Sequence, residues 1–170
     1  MKNDVVKVLF ARGNDTVIIP SKNDEDAGYD IYANFEEEYM LIKPHETKMI
    51  PTNLASALPN THYFQLFERG STGTKGIGQR CGVIDSSFRL FWFVPITNLN
   101  DDKPILITKE TNENNLNALK DDYIVYPYSK AICQAVLLPV PKTEVEEISY
   151  DELLKIESNR GTGMLGSSGK

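Results

Sequence analysis

Apolar, β-branched and aromatic residues gather along the chain in short runs, at 5–10, 16–19, 29–33, 40–42, 48–51, 63–67, 90–96, 105–108, 124–126 and 132–140. Pro20, Pro44, Pro59, Pro104, Pro127 and Pro139 punctuate them. Many short runs parted by turn residues predict an all-β sandwich or barrel; alternating β–α units would need stretches of helical periodicity between the strands. Self-similarity at a period of about 20–50 residues, the mark of a solenoid or propeller, is missing.

Two segments break the pattern. Residues 108–122, TKETNENNLNALKDD, are polar and charged, and read as a surface excursion, a tolerated insertion with one helical turn near 116–119. Ser149, Tyr150, Asp151 and Glu152 have the S-x-x-E form of a capping box, in which each end satisfies the other's free N–H. Leu153, Leu154 and Ile156 then supply apolar residues for a short helix ending near Asn159. Residues 160–170, RGTGMLGSSGK, hold nothing that builds a core. A disordered tail and an arm that orders on an anion both fit that composition. The organisation expected is a β domain over 1–159 and a C-terminal arm over 160–170.

Length and composition narrow the setting. A chain of 170 residues with 41% hydrophobic content suits one soluble domain. No apolar run approaches the length that spans a bilayer, and residues 1–10 are too short and mixed for a secretory signal, so no membrane partner and a cytoplasmic setting are expected. Cys81 and Cys133 lie far apart without a CxxC, and His45 and His62 are the only histidines, which argues against structural zinc and for two free thiols. The net charge of −6 argues against a nucleic-acid partner bound along its phosphate backbone. A small anion remains compatible, because a few local cations and backbone N–H groups hold it.

Candidate chemistry sits in four further segments. Residues 26–33, DAGYDIYA, carry Asp30 into an apolar run. Residues 68–76, ERGSTGTKG, pack cations, hydroxyls and glycines into a loop, without the Walker or Rossmann spacing. Residues 82–89, GVIDSSFR, set Asp85 among apolar neighbours, and residues 131–136, AICQAV, set Gln134 in an apolar strand. Each has a plain structural reading. The loop serves as a turn, Asp85 as a hydrogen-bonded structural acid, and Asp30 as the start of a strand.

In this order, and with RGTGMLGSSG at 160–169, the segments resemble the five motifs of the trimeric dUTPase family, over a stretch from about Asp26 to the C-terminus. The resemblance implies a distorted jelly-roll or barrel-like all-β fold with one short helix near the C-terminus and a flexible glycine-rich tail. It implies a homotrimer with shared active sites, in which water attacks the α-phosphorus of dUTP to give dUMP and pyrophosphate. Such an activity limits uracil entry into DNA and supplies dUMP for thymidylate synthesis.

The family's roles carry over residue by residue. Asp85 orients and deprotonates the water, partly desolvated by Val83, Ile84 and Phe88 as suits a general base. Mg²⁺ is held by triphosphate and water, with no direct protein ligand, and Asp30 orders a metal-bound water or its neighbours. Arg69, Ser71 and the amides of Gly70, Ser71, Thr72 and Gly73 receive phosphate oxygens, with Gln134 bonding phosphate or water; Lys75 is either support or a plain exposed lysine. Gly82, Val83, Ile84 and Asp85 form the uracil hairpin, too tight for a thymine methyl. Phe88 stacks on the deoxyribose, or else simply packs in the core. Arg160, with Ser167 and Ser168, closes the arm over the γ-phosphate, and Leu165 covers the base.

Three departures stand out. Gly70 follows Arg69 where the family has serine; Leu165 replaces a stacking aromatic and Met164 a glycine; and Leu90 and Phe91 follow Arg89, running into Trp92 and Phe93 toward either a trimer axis or the core. Competing readings are a dCTP deaminase, which needs a glutamate that 82–89 lacks, a nucleotide-dependent regulatory binding protein meeting a partner through 108–122, and a catalytically dead homologue.

Overall fold

The computed structural model describes residues 5–159 and 161. The chain falls into two units, Met1–Val140 and Pro141–Lys170. The first holds the strands β1 (Leu9–Arg12), β2 (Gly28–Tyr32), β3 (Tyr39–Ile42), β4 (Thr47–Pro51), β5 (Leu54–Ala57), β6 (His62–Phe67), β7 (Ile77–Gln79), β8 (Val83–Ile84), β9 (Phe93–Asn98), β10 (Ile105–Thr108), β11 (Ile124–Pro127) and β12 (Ala131–Pro139). Its helical pieces are α1 (Gly70–Gly73) and α2 (Glu113–Leu119). The second unit holds α3 (Tyr150–Lys155).

The strands form four sheets, in the orders β1-β5, β11-β10-β3, β2-β12-β6-β8 and β4-β9-β7. The all-β expectation holds, and period-two patterning explains the inner faces. Along β9 the residues Val94, Ile96 and Asn98 are buried while Phe93 is exposed. Strand β12 lies between β2 and β6, and its first half is buried on both faces, which is why Ala131, Ile132, Cys133 and Ala135 run almost without a polar break. The polar exception there is Gln134.

One aromatic cluster ties the sheets together. Phe64 meets Trp92 at 5.4 Å between ring centres, and Phe10 meets Tyr29 at 5.9 Å and Phe64 at 5.8 Å. Around it pack Ile31, Ile42, Ile50, Leu54, Ile96 and Ile132. Each such burial contributes roughly 1.5–3 kcal/mol. Trp92 turns into this core, whereas Leu90, Phe91 and Phe93 are exposed on the single chain.

Differences from the sequence reading have local causes. Residues 16–19 form no strand, because the Asn14 side chain accepts from the Thr16 N–H at 3.0 Å and bonds Asn34 at 2.9 Å, closing a turn that competes with extended backbone. The run 5–10 shifts to Leu9–Arg12, and 90–96 becomes Phe93–Asn98. Strands β5, β7 and β8 were not expected; β5 and β7 are short and built partly from alanine, serine and glycine, and β8 is two residues long, so their pattern is weak.

The excursion at 108–122 has a structural task. Strands β10 and β11 pair in parallel, Ile105 opposite Ile124. Parallel neighbours need a crossover of about a dozen residues or more, usually helical. The excursion is that crossover, and α2 is longer than the single turn expected, capped by Asn112, whose side chain accepts from the N–H of Asn114 and Asn115. In the second unit, the capping box forms as read: the Glu152 N–H donates to Ser149 Oγ and the Ser149 N–H to Glu152 Oε2. Helix α3 stops at Lys155, short of Asn159.

Both cysteines are free. Burial pushes the Cys133 thiol far up and the partly buried Cys81 thiol up as well, so both stay protonated at neutral pH. Among the described residues no helix is long and apolar enough to cross a membrane.

Candidate functional site

The head of β12 organises the site. Antiparallel pairing sets Gln134 opposite Asp30 of β2 on one side and opposite Phe67, the last residue of β6, on the other. Directly opposed side chains on one sheet face stand within bonding reach, and Gln134 Nε2 donates to Asp30 Oδ1 at 3.3 Å. A register shift between Ala131 and Cys133 bends the strand just before this pair.

From β6 the chain runs through Glu68 to Arg69, the N-cap of α1. Arg69 forks onto Asp30, with Nε at 3.2 Å from Oδ1 and Nη2 at 3.3 Å from Oδ2. Its Nη1 donates to the Ala131 carbonyl at 3.1 Å. The side chains keep 25% and 31% of their exposure, so this pair is shielded without being cut off from solvent. The Ala131 carbonyl also accepts from the buried Tyr126 hydroxyl at 2.5 Å. Burial pushes the Tyr126 phenol up, against the pull of Arg69 and Ser71, which keeps that donor protonated. Arg69 is therefore a brace before it is a phosphate receiver: each of its three nitrogens already has a partner, and one N–H on each terminal nitrogen is left.

The loop after Arg69 is a helical turn, which the sequence reading missed because glycine at both ends disfavours helix. The N–H groups of Gly70 and Ser71 occupy its first positions and have no intrahelical carbonyl. A Cβ built on Gly70 would meet nothing within 4 Å, so the turn is open on that side. Ser71 is exposed there. Thr72 corrects the expectation of a phosphate contact. It is fully buried, its hydroxyl donates to the Arg69 carbonyl at 2.8 Å, and its N–H and that of Gly73 donate to the same carbonyl. Thr72 braces the loop, and only the Gly70 and Ser71 amides are offered to an anion.

The loop is tied down at its far end. Glu68 Oε1 accepts from the Gln79 N–H at 3.0 Å, and Asn100 Nδ2 donates to the Lys75 carbonyl at 2.9 Å. Gly76 adopts φ +66°, and a Cβ there would stand 2.6 Å from Asn100 Nδ2, so both conformation and space demand glycine.

Asp85 lies elsewhere. Strand β8 is the outer strand next to β6, with Ile84 opposite Phe64, and the Gly82 carbonyl accepts from the Leu66 N–H at 2.8 Å and Gln65 Nε2 at 2.9 Å. A turn follows, closed by the Phe88 N–H on the Asp85 carbonyl at 3.1 Å. Two expectations change here. Strand β8 pairs with β6, and β9 with β4 and β7, so no paired hairpin surrounds Asp85. Asp85 is exposed, as are Gly82 and Val83, so within one chain its neighbours do not desolvate it. Phe88 keeps 38% of its exposure and is not a core residue.

Strands β2 and β8 are opposite edges of one sheet, three strand spacings or about 14 Å apart. Asp30, Arg69 and Gln134 come together; Asp85 does not join them in the same chain. Arg160, Leu165, Ser167 and Ser168 lie outside the described residues.

Asp30 borders two hollows. One is lined by Tyr32, Arg69, Ser71, Ser129, Lys130 and Ala131, and the other by Ile18, Ser21, Lys22, Asn23, Asp26 and Tyr32. The sequence reading missed Tyr32, Tyr126, Ser129 and Lys130; a serine and a lysine immediately before AICQAV were the available signal. Among the described residues no three Asp, Glu, His or Cys side chains converge as a metal cage would need.

A family model described as dUTPase matches residues 14–112, more than half of the chain. The chain belongs to the dUTPase family. The deoxyuridine 5'-triphosphate nucleotidohydrolase of Clostridioides difficile is 31% identical over 160 residues, 92% of this chain and 93% of the relative. That of Nautilia profundicola is 30% identical over 97% of this chain and its own full length. The Leptospira interrogans enzyme is 32% identical over 83 residues, and there the match takes in 57% of the relative. Among solved structures, the dUTPase of Staphylococcus bacteriophage 80alpha with dUPNHPP superposes with a TM-score of 0.73 at 20% identity, over 96% of this chain and 99% of that one. A variant dUTPase of phage phi11, described with a structural Mg(II) ion, gives 0.65 at 17% identity over 84% and 96%. These likenesses place the chain in the jelly-roll-like dUTPase fold, and the family match favours the hydrolase over the deaminase reading.

Proposed function

We propose that the protein hydrolyses dUTP to dUMP and pyrophosphate by water attack on the α-phosphorus. The observation that carries this reading is the Asp30–Arg69–Gln134 cluster beside the open amides of Gly70 and Ser71, in a chain of the dUTPase family. Phosphoryl transfer needs an aligned nucleophile and neutralised oxygens more than covalent help. The amides of Gly70 and Ser71, the Ser71 hydroxyl and the remaining N–H groups of Arg69 take phosphate oxygens. Gln134 fixes one Asp30 oxygen through its amide and leaves its carbonyl for water.

Asp85 holds the attacking water and takes its proton. Its place at the far edge of the sheet supports a homotrimer in which Asp85 serves a neighbour's phosphate cleft. Packing against that neighbour then supplies the desolvation missing in one chain. Residues 82–88 bind uracil and deoxyribose, with exposed Phe88 stacking on the sugar. The family resemblance assigns Arg160, Ser167, Ser168 and Leu165, which lie outside the described residues, to the γ-phosphate and the base.

The residues suit magnesium carried by the triphosphate and water: Asp30 borders both hollows, while its oxygens are held by Arg69 and Gln134. When bound with substrate, the ion supplies charge neutralisation on the phosphate oxygens.

Pyrophosphate release from dUTP and the four ordinary deoxynucleoside triphosphates, with Mg²⁺ and with chelator, tests the reading. Release from dUTP alone, lost on chelation, is the expected result. Equal release from all five, or ammonia from dCTP, overturns it. Truncation after Asn159 is expected to lower kcat/KM for dUTP at least about a hundredfold, as lost lid contacts would. The melting temperature should stay put, because every residue of the core cluster lies between Val17 and Ala135. A truncated chain with full activity would remove the arm from the mechanism.

A further inference from the structure

The cleft that holds Asp30, Arg69 and Ser71 has a cation problem. A nucleoside triphosphate brings several negative charges, yet the Arg69 charge is already matched by the two Asp30 oxygens. The remaining cation in the cleft wall is Lys130, which is exposed and makes no ion pair among the described residues.

Its position is fixed rather than incidental. The Lys130 N–H closes a turn onto the Pro127 carbonyl at 3.0 Å. The next carbonyl, that of Ala131, is clamped from two sides by Arg69 Nη1 and the Tyr126 hydroxyl. The backbone that carries Lys130 is thus locked to the same guanidinium that braces Asp30. A lysine stem leaving a rigid turn next to the cleft loses less freedom on meeting an anion than one on a loose loop.

A second lysine packs on Tyr126. Lys75 Nζ lies 5.5 Å from the centre of the Tyr126 ring, the residue whose hydroxyl holds Ala131. Burial, Lys130 and Lys120 together hold the Lys75 ammonium below its usual range. Ammonium groups whose charges oppose one another favour an anion beside them.

We propose that Lys130 is a phosphate-positioning residue that takes a non-bridging oxygen of the outer phosphates of the substrate, and of pyrophosphate after hydrolysis, with Lys75 adding charge beside Tyr126. This deepens the dUTP reading and rests on it. Arg69 then orients Asp30 and the cleft backbone, and Lys130 supplies the uncompensated charge. As the bond to the α-phosphorus breaks, most of the new leaving-group charge builds on the oxygen that bridged the α- and β-phosphates, so a contact to a non-bridging oxygen of the terminal phosphate stabilises bound substrate and transition state about equally, and shows in KM rather than kcat.

The test uses the full-length protein and the variants K130A and K130R. With K130A, KM for dUTP and the inhibition constant of pyrophosphate should each rise about tenfold, the loss expected for one charge-assisted hydrogen bond. The kcat should stay within about threefold, and inhibition by dUMP, which lacks the outer phosphates, within about twofold. K130R should recover most of the loss, since charge is what the site needs. Unchanged KM and pyrophosphate inhibition in K130A overturn the proposal. So does a rise in dUMP inhibition constant that matches the pyrophosphate one, because it marks a structural role. Calorimetric binding of pyrophosphate to the unmodified protein and to K130A separates this proposal from the substrate reading. Should dUTP not be turned over at all, weaker pyrophosphate binding in K130A still supports Lys130, and equal binding still overturns it.

Discussion

Asp85→Asn is expected to lower kcat for dUTP by about 10³- to 10⁴-fold, the upper range for removing a positioned general base. Binding of a non-hydrolysable dUTP analogue should stay within about threefold of normal. The substitution keeps the shape of the side chain and removes only its ability to take a proton. The fold around it does not depend on the carboxylate, because the turn is closed by backbone, the Phe88 N–H on the Asp85 carbonyl, and Arg89 Nη1 bonds the Ser86 and Phe88 carbonyls. Single-turnover rates alongside analogue affinity separate chemistry from binding. A variant with near-normal turnover would take Asp85 out of its role, and loss of analogue binding would make the carboxylate a binding group instead.

Arg69→Ala should act on both activity and stability. Among the described residues, removing the guanidinium leaves the Asp30 carboxylate with the Gln134 side chain as its remaining side-chain partner and the Ala131 carbonyl with the Tyr126 hydroxyl. Stripping a shielded carboxylate of its partner costs about 1–3 kcal/mol, readable as a lower midpoint in urea unfolding. The kcat/KM for dUTP should fall about 10³-fold, because phosphate contacts and the set of Asp30 are lost together. Arg69→Lys is expected to rescue little, since an ammonium cannot send one planar fork to Asp30 and a third bond to Ala131. Full rescue by lysine would show that charge alone matters and refute the bracing role. The two variants also test how the site is assembled. Each should be inactive alone. Subunits of Asp85→Asn and Arg69→Ala, unfolded and refolded together, should regain activity if the acid and the phosphate cleft come from different chains. No recovery in verified mixed oligomers would place both in one chain.

Much of the scaffold could be read from the residues in order. The runs at 29–33, 40–42, 48–51, 63–67, 105–108, 124–126 and 132–140 became strands with ends displaced by a residue or so, because apolar patterning and flanking prolines act locally. The capping box at Ser149 is local in the same sense: its partners are three residues apart. Strands β5, β7 and β8 were invisible, since short strands of small or mixed residues are held by their neighbours in the sheet and carry little pattern of their own. The excursion at 108–122 looked like a tolerated insertion for a related reason. Its necessity lies in the parallel pairing of β10 with β11, which no feature within the segment announces.

The chain alone singled out the candidates for the proposed chemistry: Asp30, Arg69, Ser71, Asp85 and Gln134 stand out by type and immediate context, an acid or amide among apolar neighbours or a hydroxyl among glycines. Only the tertiary structure decided how they are used. Asp30 meets Arg69 across 39 residues and Gln134 across 104, contacts set by sheet register. Strand pairing also left Asp85 exposed beyond a far strand and brought Lys130 to the cleft, while the helical turn after Arg69 turned Thr72 inward. Side-chain type is a property of one position. Partnership and burial belong to the packed sheets, and are fixed only when distant strands pair.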